Sequence, residues 1–248
     1  MSLPFSDTST YKGIVQIYEK LIGANRTDIS GNSNKLKELT ADVNLLGWDE
    51  YLKLAFEASG TWQFDDSNQT DYPIITTNIV ASQRDYSFTV DGTSNLILEI
   101  YKVAILPSAT ATLYQEILPI DAQSEPNNDF IANQTVTGTP YEYDKTSNGI
   151  FLNPIPSYSA TSGLRVYINR EASYFTSSDT TKKPGCPGIH HRWFALRPAE
   201  DYAMRNGLAS YPLLRAERLQ MEEDIKAFFG RRERDVRKRL TMASVNFE

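Results

Sequence analysis

Residues 149–170, GIFLNPIPSYSATSGLRVYINR, decide the fold class of this chain. Apolar side chains alternate with polar ones from Leu164 to Ile168, and this period of two predicts a half-buried β-strand. The preceding pair Asn148-Gly149 favours a hairpin turn, because both residue types accept a positive φ at low cost. Runs of the same kind recur across residues 61–178 without a helical period between them. This region is therefore predicted to be a central antiparallel β-sandwich or barrel-like domain.

The residues before this domain, 1–60, show a helical period instead. Apolar residues from Ile14 to Ile22 recur at spacings of three and four, and Gly23 is placed to end that helix. A polar loop at residues 27–34 separates it from a second predicted helix, whose N-terminal caps are expected from Thr40 and Asp42. These residues are predicted to form an N-terminal helical region.

The helical period returns in residues 179–230, the predicted C-terminal helical region. Pro198 is expected to kink or restart the first helix there, because proline lacks an amide hydrogen, and Asn206-Gly207 is expected to stop it. A long, charged helix is predicted from Leu213 to Leu240. The fold class is thus predicted as α+β, with N-terminal and C-terminal helices packed as one helical region. Residues 231–248 are predicted to be a basic C-terminal extension.

Composition and charge exclude several classes of protein. The formal net charge is −6, and residues 61–178 carry 5 basic against 13 acidic side chains, which argues against a protein that grips nucleic acid. Residues 184–248 carry 12 basic against 9 acidic, so the charge runs from an acidic middle to a basic end. Cys186 is the single cysteine, which excludes an internal disulfide or a thiolate metal cage. No apolar run reaches the roughly 20 residues of a spanning helix, so we expect no membrane-spanning segment. Residues 1–7 show no secretory signal, so we expect cytoplasmic synthesis.

The chain shows no pattern typical of catalysis. His190 and His191 are neighbours, and on a helix their side chains would point about 100° apart, so the pair is interpreted as packed or exposed rather than as a metal or catalytic site. Asp65-Asp66 and Asp71 match no calcium loop and are interpreted as a solvated acidic turn. Phosphate-binding and dinucleotide-binding glycine motifs are missing from the sequence. We therefore predict a non-enzymatic protein with no catalytic residue, no metal and no cofactor.

Aromatic residues leave one alternative open. Trp48, Trp62 and the many tyrosines could form a platform for a sugar, although aromatics at alternate strand positions more often pack in a core. The alternative function is thus a β-sandwich that binds a ligand such as a glycan, with flanking helices.

One dense charge feature ends the chain. It contains six basic residues: Arg231, Arg232, Arg234, Arg237, Lys238 and Arg239. Three interpretations stay open for this run, namely a solvated helix face, a surface for a protein partner, or direct contact with DNA. The preceding pair Phe228-Phe229 favours the protein partner, because two adjacent rings on a polar helix are not expected to face the same small core. We predict that the pair and the basic run form one partner-facing element.

The order of these features resembles the head-to-tail adaptor proteins of tailed bacteriophages, above all the podovirus-type adaptors. The resemblance covers about residues 11 to 230. It is carried by a helical N-terminus, the strand pattern of Gly149–Pro156 that ends in Pro-Ile-Pro, the strand pattern of Leu164–Arg170, Phe175, and the loop Pro184–His191 before a helix. The β-region of this chain is larger than that of the simplest adaptors.

The resemblance implies a structural role in the virion neck. Such adaptors form a ring, typically of twelve subunits, that completes the head beneath the portal protein and receives tail or nozzle proteins on its other side. The double-stranded genome passes through the lumen during ejection without specific binding, and an acidic chain suits such a channel because it repels phosphates. A C-terminal extension reaches toward the portal in these adaptors, and the residues from Gly230 to Glu248 occupy that place here.

Overall fold

The computed structural model describes residues 2–59, 74–91, 94–120, 135–146 and 149–232. Contacts divide the chain into two compact units. The helical unit contains residues 1–62 and 174–248, and the β unit contains residues 63–173. The β unit thus ends five residues before the predicted boundary at residue 178. Tyr174 donates to Asp49 Oδ1 at 2.7 Å, and the Phe175 ring stacks on Phe5 with centroids 4.6 Å apart, so both side chains pack in the helical unit.

Both ends of the chain build the helical unit. Its helices are α1 (Ile14–Leu21), α2 (Ser33–Asp42), a π-helical turn (Val43–Trp48), α3 (Asp49–Ser59), α4 (Trp193–Arg205) and α5 (Tyr211–Arg232). The π-helical turn packs on α4, α4 packs on α1 and α5, and α3 packs on α5. The N-terminal and C-terminal helices therefore pack as one region, as the sequence predicted. Within the described residues, no helix is long and apolar enough to cross a membrane.

The second predicted helix begins earlier than expected. Asn32 caps α2, because its side-chain oxygen accepts from the amides of Asn34 and Lys35 at 3.1 and 3.2 Å. The prediction that Thr40 and Asp42 act as caps is wrong. Both lie inside the helical run, where the Thr40 hydroxyl donates to the Leu36 carbonyl at 2.6 Å. The loop predicted at residues 27–34 overlaps the first two residues of α2, Ser33 and Asn34, because the start of this helix is polar.

A glycine in the π-helical turn brings α4 close. The indole of Trp193 donates to the Gly47 carbonyl at 2.9 Å, and a Cβ at Gly47 would lie 3.0 Å from the Phe194 ring. The wider π turn therefore receives the first two aromatic residues of α4 against its backbone. Trp48 and Phe194, which are both buried, pack with their ring centroids 4.6 Å apart.

Pro198 does not interrupt α4, which runs unbroken from Trp193 to Arg205. The helix therefore does not restart at this position, which was one of the two expectations for Pro198. Packing of α4 on α1, α5 and the π-helical turn supports the helix where one backbone hydrogen bond is missing. The predicted stop is confirmed, because Asn206 caps the helix and Gly207 follows with a φ of +62°.

In the described part of the β unit, seven strands form a curled, barrel-like sheet in the order β1-β9-β3-β4-β6-β7-β2. The nine strands of the unit are Ile74–Ile79, Asp85–Ser87, Ile97–Ile105, Gln115–Pro119, Thr137–Gly138, Glu142–Thr146, Gly149–Asn153, Ile155–Pro156 and Ala160–Arg170, numbered β1 to β9. The α+β class with a barrel-like domain is confirmed. The sheet is mixed rather than wholly antiparallel, because β4 pairs with β6 in parallel, as does the small pair β5 and β8.

Strand β9 contributes one face to the core of the β unit. β9 pairs with both β1 and β3, and its residues Leu164, Val166 and Ile168 are buried while the alternate residues Arg165 and Tyr167 are partly exposed. The predicted hairpin joins β6 to β7, with Thr146 opposite Gly149, although Asn148 lies outside the described residues. Gly149 is required here, because a Cβ at this position would lie 2.1 Å from the Tyr86 carbonyl oxygen.

Candidate docking surface

Helix α5 carries two faces with different surroundings. Leu214, Ile225 and Phe229 face the helical unit and are buried, with Ile225 and Phe229 fully inaccessible. The Phe229 ring packs edge-on against Tyr51 of α3, with centroids 5.9 Å apart. Phe229 is therefore a core residue of the subunit. The prediction that both phenylalanines face a partner is corrected for Phe229 by this burial.

The other face of α5 borders a groove. Its lining residues come from α5, namely Met221, Asp224, Ala227, Phe228 and Arg231, and from the segment before α4, namely Ile189 and His190. The groove has a volume of about 600 Å³. We call it the α5 groove. Phe228 is half-buried at its floor, whereas Ile189 is 65% exposed. An apolar floor with polar side chains at its edge is the usual composition of a binding cleft.

His190 fixes the floor of the α5 groove. Its Nδ1 atom and the Tyr51 hydroxyl lie 2.8 Å apart and share one hydrogen bond, and its ring meets Phe228 edge-on at 5.0 Å. Only 3% of the residue is exposed. Burial, followed by the charge of His191, lowers the pKa of His190 to about 4. The ring is therefore neutral at pH 7, and its role in the described contacts is to pack.

His191 holds the N-terminal segment. Its Nδ1 atom accepts from the Leu3 amide at 2.9 Å, and its Nε2 atom lies 3.0 Å from the Cys186 carbonyl, to which it donates. Burial lowers the pKa of His191, which favours this neutral tautomer. The two histidines thus have separate backbone and side-chain partners. None of the hydrogen bonds described for the two histidines is to a carboxylate, so these hydrogen bonds do not form a catalytic triad.

A network of ion pairs fixes α5 against α3 and α4. Arg218 of α5 lies 2.7 Å from Glu200 of α4 and 2.6 Å from Glu222 one turn further along α5. Arg197 of α4 binds Glu50 of α3 through two nitrogens at 2.6 and 2.9 Å. A bidentate pair of this kind constrains the relative position of the helices. The wall of the α5 groove is therefore held by rigid elements.

The described residues include part of the predicted partner-binding set. Arg231 is exposed at the end of the α5 groove, and Arg232 is the last residue of α5. Four predicted residues lie outside the described residues: Arg234, Arg237, Lys238 and Arg239. Sequence reasoning missed Ile189, Met221 and Asp224. Asp224, Phe228 and Arg231 follow Met221 by three, seven and ten residues, a spacing that indicates one helix face. This spacing could have identified Met221 and Asp224.

The two remaining candidate sites are the aromatic sugar platform and the acidic turn. Trp48 is fully buried and cannot contribute to a sugar platform, whereas Trp62 lies outside the described residues. Asp65, Asp66 and Asp71 also lie outside them. Within the part of the chain that is described, no three His, Cys, Asp or Glu side chains are grouped as metal ligands.

No protein-family model matches this chain, and no match was found among curated proteins.

Proposed function

We propose that this chain is a non-enzymatic structural subunit of a tailed-bacteriophage virion, one copy of a ring at the neck. In this role it completes the head beneath the portal protein, connects it to tail or nozzle proteins and leaves a channel for the genome. The resemblance to podovirus-type adaptors suggests twelve copies. The observation that carries the proposal is the double role of α5, which is anchored in the helical unit while its other face borders an open groove at the start of the basic run.

The composition of the α5 groove supports contact with a protein. Phe228 and Met221 give an apolar floor, Ile189 adds an exposed aliphatic side chain, and Arg231 adds a charge at the edge. Apolar anchors supply most of the energy of a protein interface, while charges at its edge set orientation and encounter rate. We propose that a segment of the portal with an apolar anchor and a charged side chain beside it binds here.

The charge of the β-region supports a channel that does not retain DNA. Residues 61–178 carry 13 acidic and 5 basic side chains. Binding to duplex DNA needs basic side chains that displace counterions from the phosphates, and this region offers few of them. A genome could therefore pass such a surface without being held.

The test is attachment to heads that carry a portal but lack this protein. We expect the full chain to bind such heads as rings that negative-stain electron microscopy detects, and we expect Arg231→Glu to reduce the bound fraction several-fold. Arg215→Glu is the matched control, because Arg215 is an exposed arginine on the same helix, four turns away from Arg231. A full chain that binds no portal-bearing head would refute the proposed function. Equal binding by both variants would refute the assignment of Arg231 to the docking surface.

A further inference from the structure

The charges along α5 favour antiparallel pairing of this helix with the same helix of a second copy. Residues 217–224 of this helix carry four acidic side chains and one basic, whereas the described part of the helix ends in two basic residues, Arg231 and Arg232. Two helices that pair antiparallel bring the acidic segment of each toward the basic end of the other. Parallel pairing would place like charges together and is unfavourable.

The α5 groove shows the same complementarity at the level of single residues. Asp224 and Arg231 both line it, and they are seven residues apart on α5, which is about 10.5 Å along a helix axis. Among the described residues, neither side chain has an ion-pair partner. Ala227 lies between them, is exposed, and has a side chain small enough for a second helix to approach.

We infer that the α5 groove binds α5 of a second copy of this chain, antiparallel, about a two-fold axis that passes beside Ala227 and Phe228. In this arrangement Asp224 of each copy pairs with Arg231 of the other, and the two Phe228 rings meet near the axis. Residues 223–232 overlap with the same residues of the second copy, about 15 Å of helix. Ile189 of each copy, 65% exposed in the single chain, is covered by the helix of the other.

This inference goes beyond the proposed function. A two-fold contact is isologous, since the same surface faces itself, whereas the contacts that close a ring are heterologous. The dimer would therefore be a state of the free subunit, and it would cover the surface proposed for docking. Dimerisation is measured without heads or portal, so its failure and the failure of head attachment are distinguishable.

The first experiment uses engineered cysteines in the full chain. We expect Ala227→Cys to form a disulfide-linked dimer under mild oxidation, because the two copies of residue 227 meet near the axis. Ala216→Cys is the matched control, since Ala216 is an exposed alanine on the same face three turns earlier, about 16 Å from the axis. The native thiol of Cys186 is buried. A ring contact between unlike surfaces gives no such symmetric disulfide. Absence of the Ala227→Cys dimer, or equal cross-linking at both positions, would overturn the inference.

The second experiment reverses charges and measures dimerisation by analytical ultracentrifugation. We expect Asp224→Arg alone and Arg231→Glu alone each to weaken the dimer about tenfold, because two symmetric ion pairs become like-charge pairs. The double variant Asp224→Arg/Arg231→Glu restores opposite charges and should recover the wild-type constant. Circular dichroism shows whether each variant keeps its helices. A double variant that is as weak as the single ones would overturn the inference, as would a monomeric wild-type chain.

Discussion

Truncation of Phe229 should destabilise the helical unit far more than truncation of its neighbour Phe228. Phe229 is fully buried against Tyr51 and His190, so Phe229→Ala removes a core ring and leaves a cavity, which costs about 3–5 kcal/mol. Phe228 is only half-buried at the groove, so Phe228→Ala loses about half of the transfer energy of a phenylalanine, about 1 kcal/mol. The two residues have the same chemistry and adjacent positions, so each is the control for the other.

The assay is unfolding in urea followed by tryptophan fluorescence, because Trp48 and Trp193 are both buried in the helical unit and report its unfolding. We expect the free energies of unfolding of the two variants to differ by about 2 kcal/mol or more. Equal losses would show that α5 does not pack through Phe229, and the assignment of the two faces of α5 would be wrong. A smaller loss of unfolding free energy for Phe229→Ala than for Phe228→Ala would contradict this assignment more strongly.

Three further outcomes are expected. Gly47→Ala should lower the free energy of unfolding in urea by about 1–3 kcal/mol, because the new Cβ would lie 3.0 Å from the Phe194 ring. Gly230→Ala is the control: no atom lies within 4 Å of its new Cβ, so it should leave the free energy of unfolding unchanged or raise it by up to about 1 kcal/mol. The unfolding free energy should fall as the pH is lowered from about 6.5 to 4. The reason is that the pKa of His190 is about 4 in the folded chain, so the unfolded chain takes up the proton first. Urea unfolding of the His190→Gln variant should show a shallower fall of the unfolding free energy with pH. The purified chain should not bind duplex DNA at physiological salt in a fluorescence anisotropy titration, and tight, salt-sensitive binding would refute the argument for a channel that does not retain DNA.

The sequence predicted the class of each region but not the pairing of distant strands. Alternation from Leu164 to Ile168 predicted β9 because burial on one face of a strand follows a period of two. The parallel pairing of β4 with β6 depends on residues 118 and 142, which no local pattern connects. The restart expected at Pro198 did not occur for a similar reason, since the packing that supports α4 comes from elements elsewhere in the chain.

The prediction for Phe228 and Phe229 failed in one half because it treated the pair as an isolated feature. The two rings differ in burial, since Phe229 is fully buried and Phe228 is half-buried, although both pack against His190. The spacing of four from Ile225 to Phe229 would have placed Phe229 on the buried face. The position of Ile189 in the same groove as Phe228 could not have been predicted, since it depends on how the loop before α4 approaches α5.

The two faces of α5 separate stability from association in one helix. The buried face, with Ile225, Phe229 and the Arg218 ion pairs, sets the position of the helix, so substitutions there change the free energy of unfolding and displace the groove at the same time. Asp224 and Arg231 contact solvent and have no described ion-pair partner, so substitutions there should change association with little change in unfolding. If one surface serves both the dimer and the portal, Arg231→Glu weakens both dimerisation and portal attachment. The double variant Asp224→Arg/Arg231→Glu then restores only dimerisation, because the portal keeps its own charges.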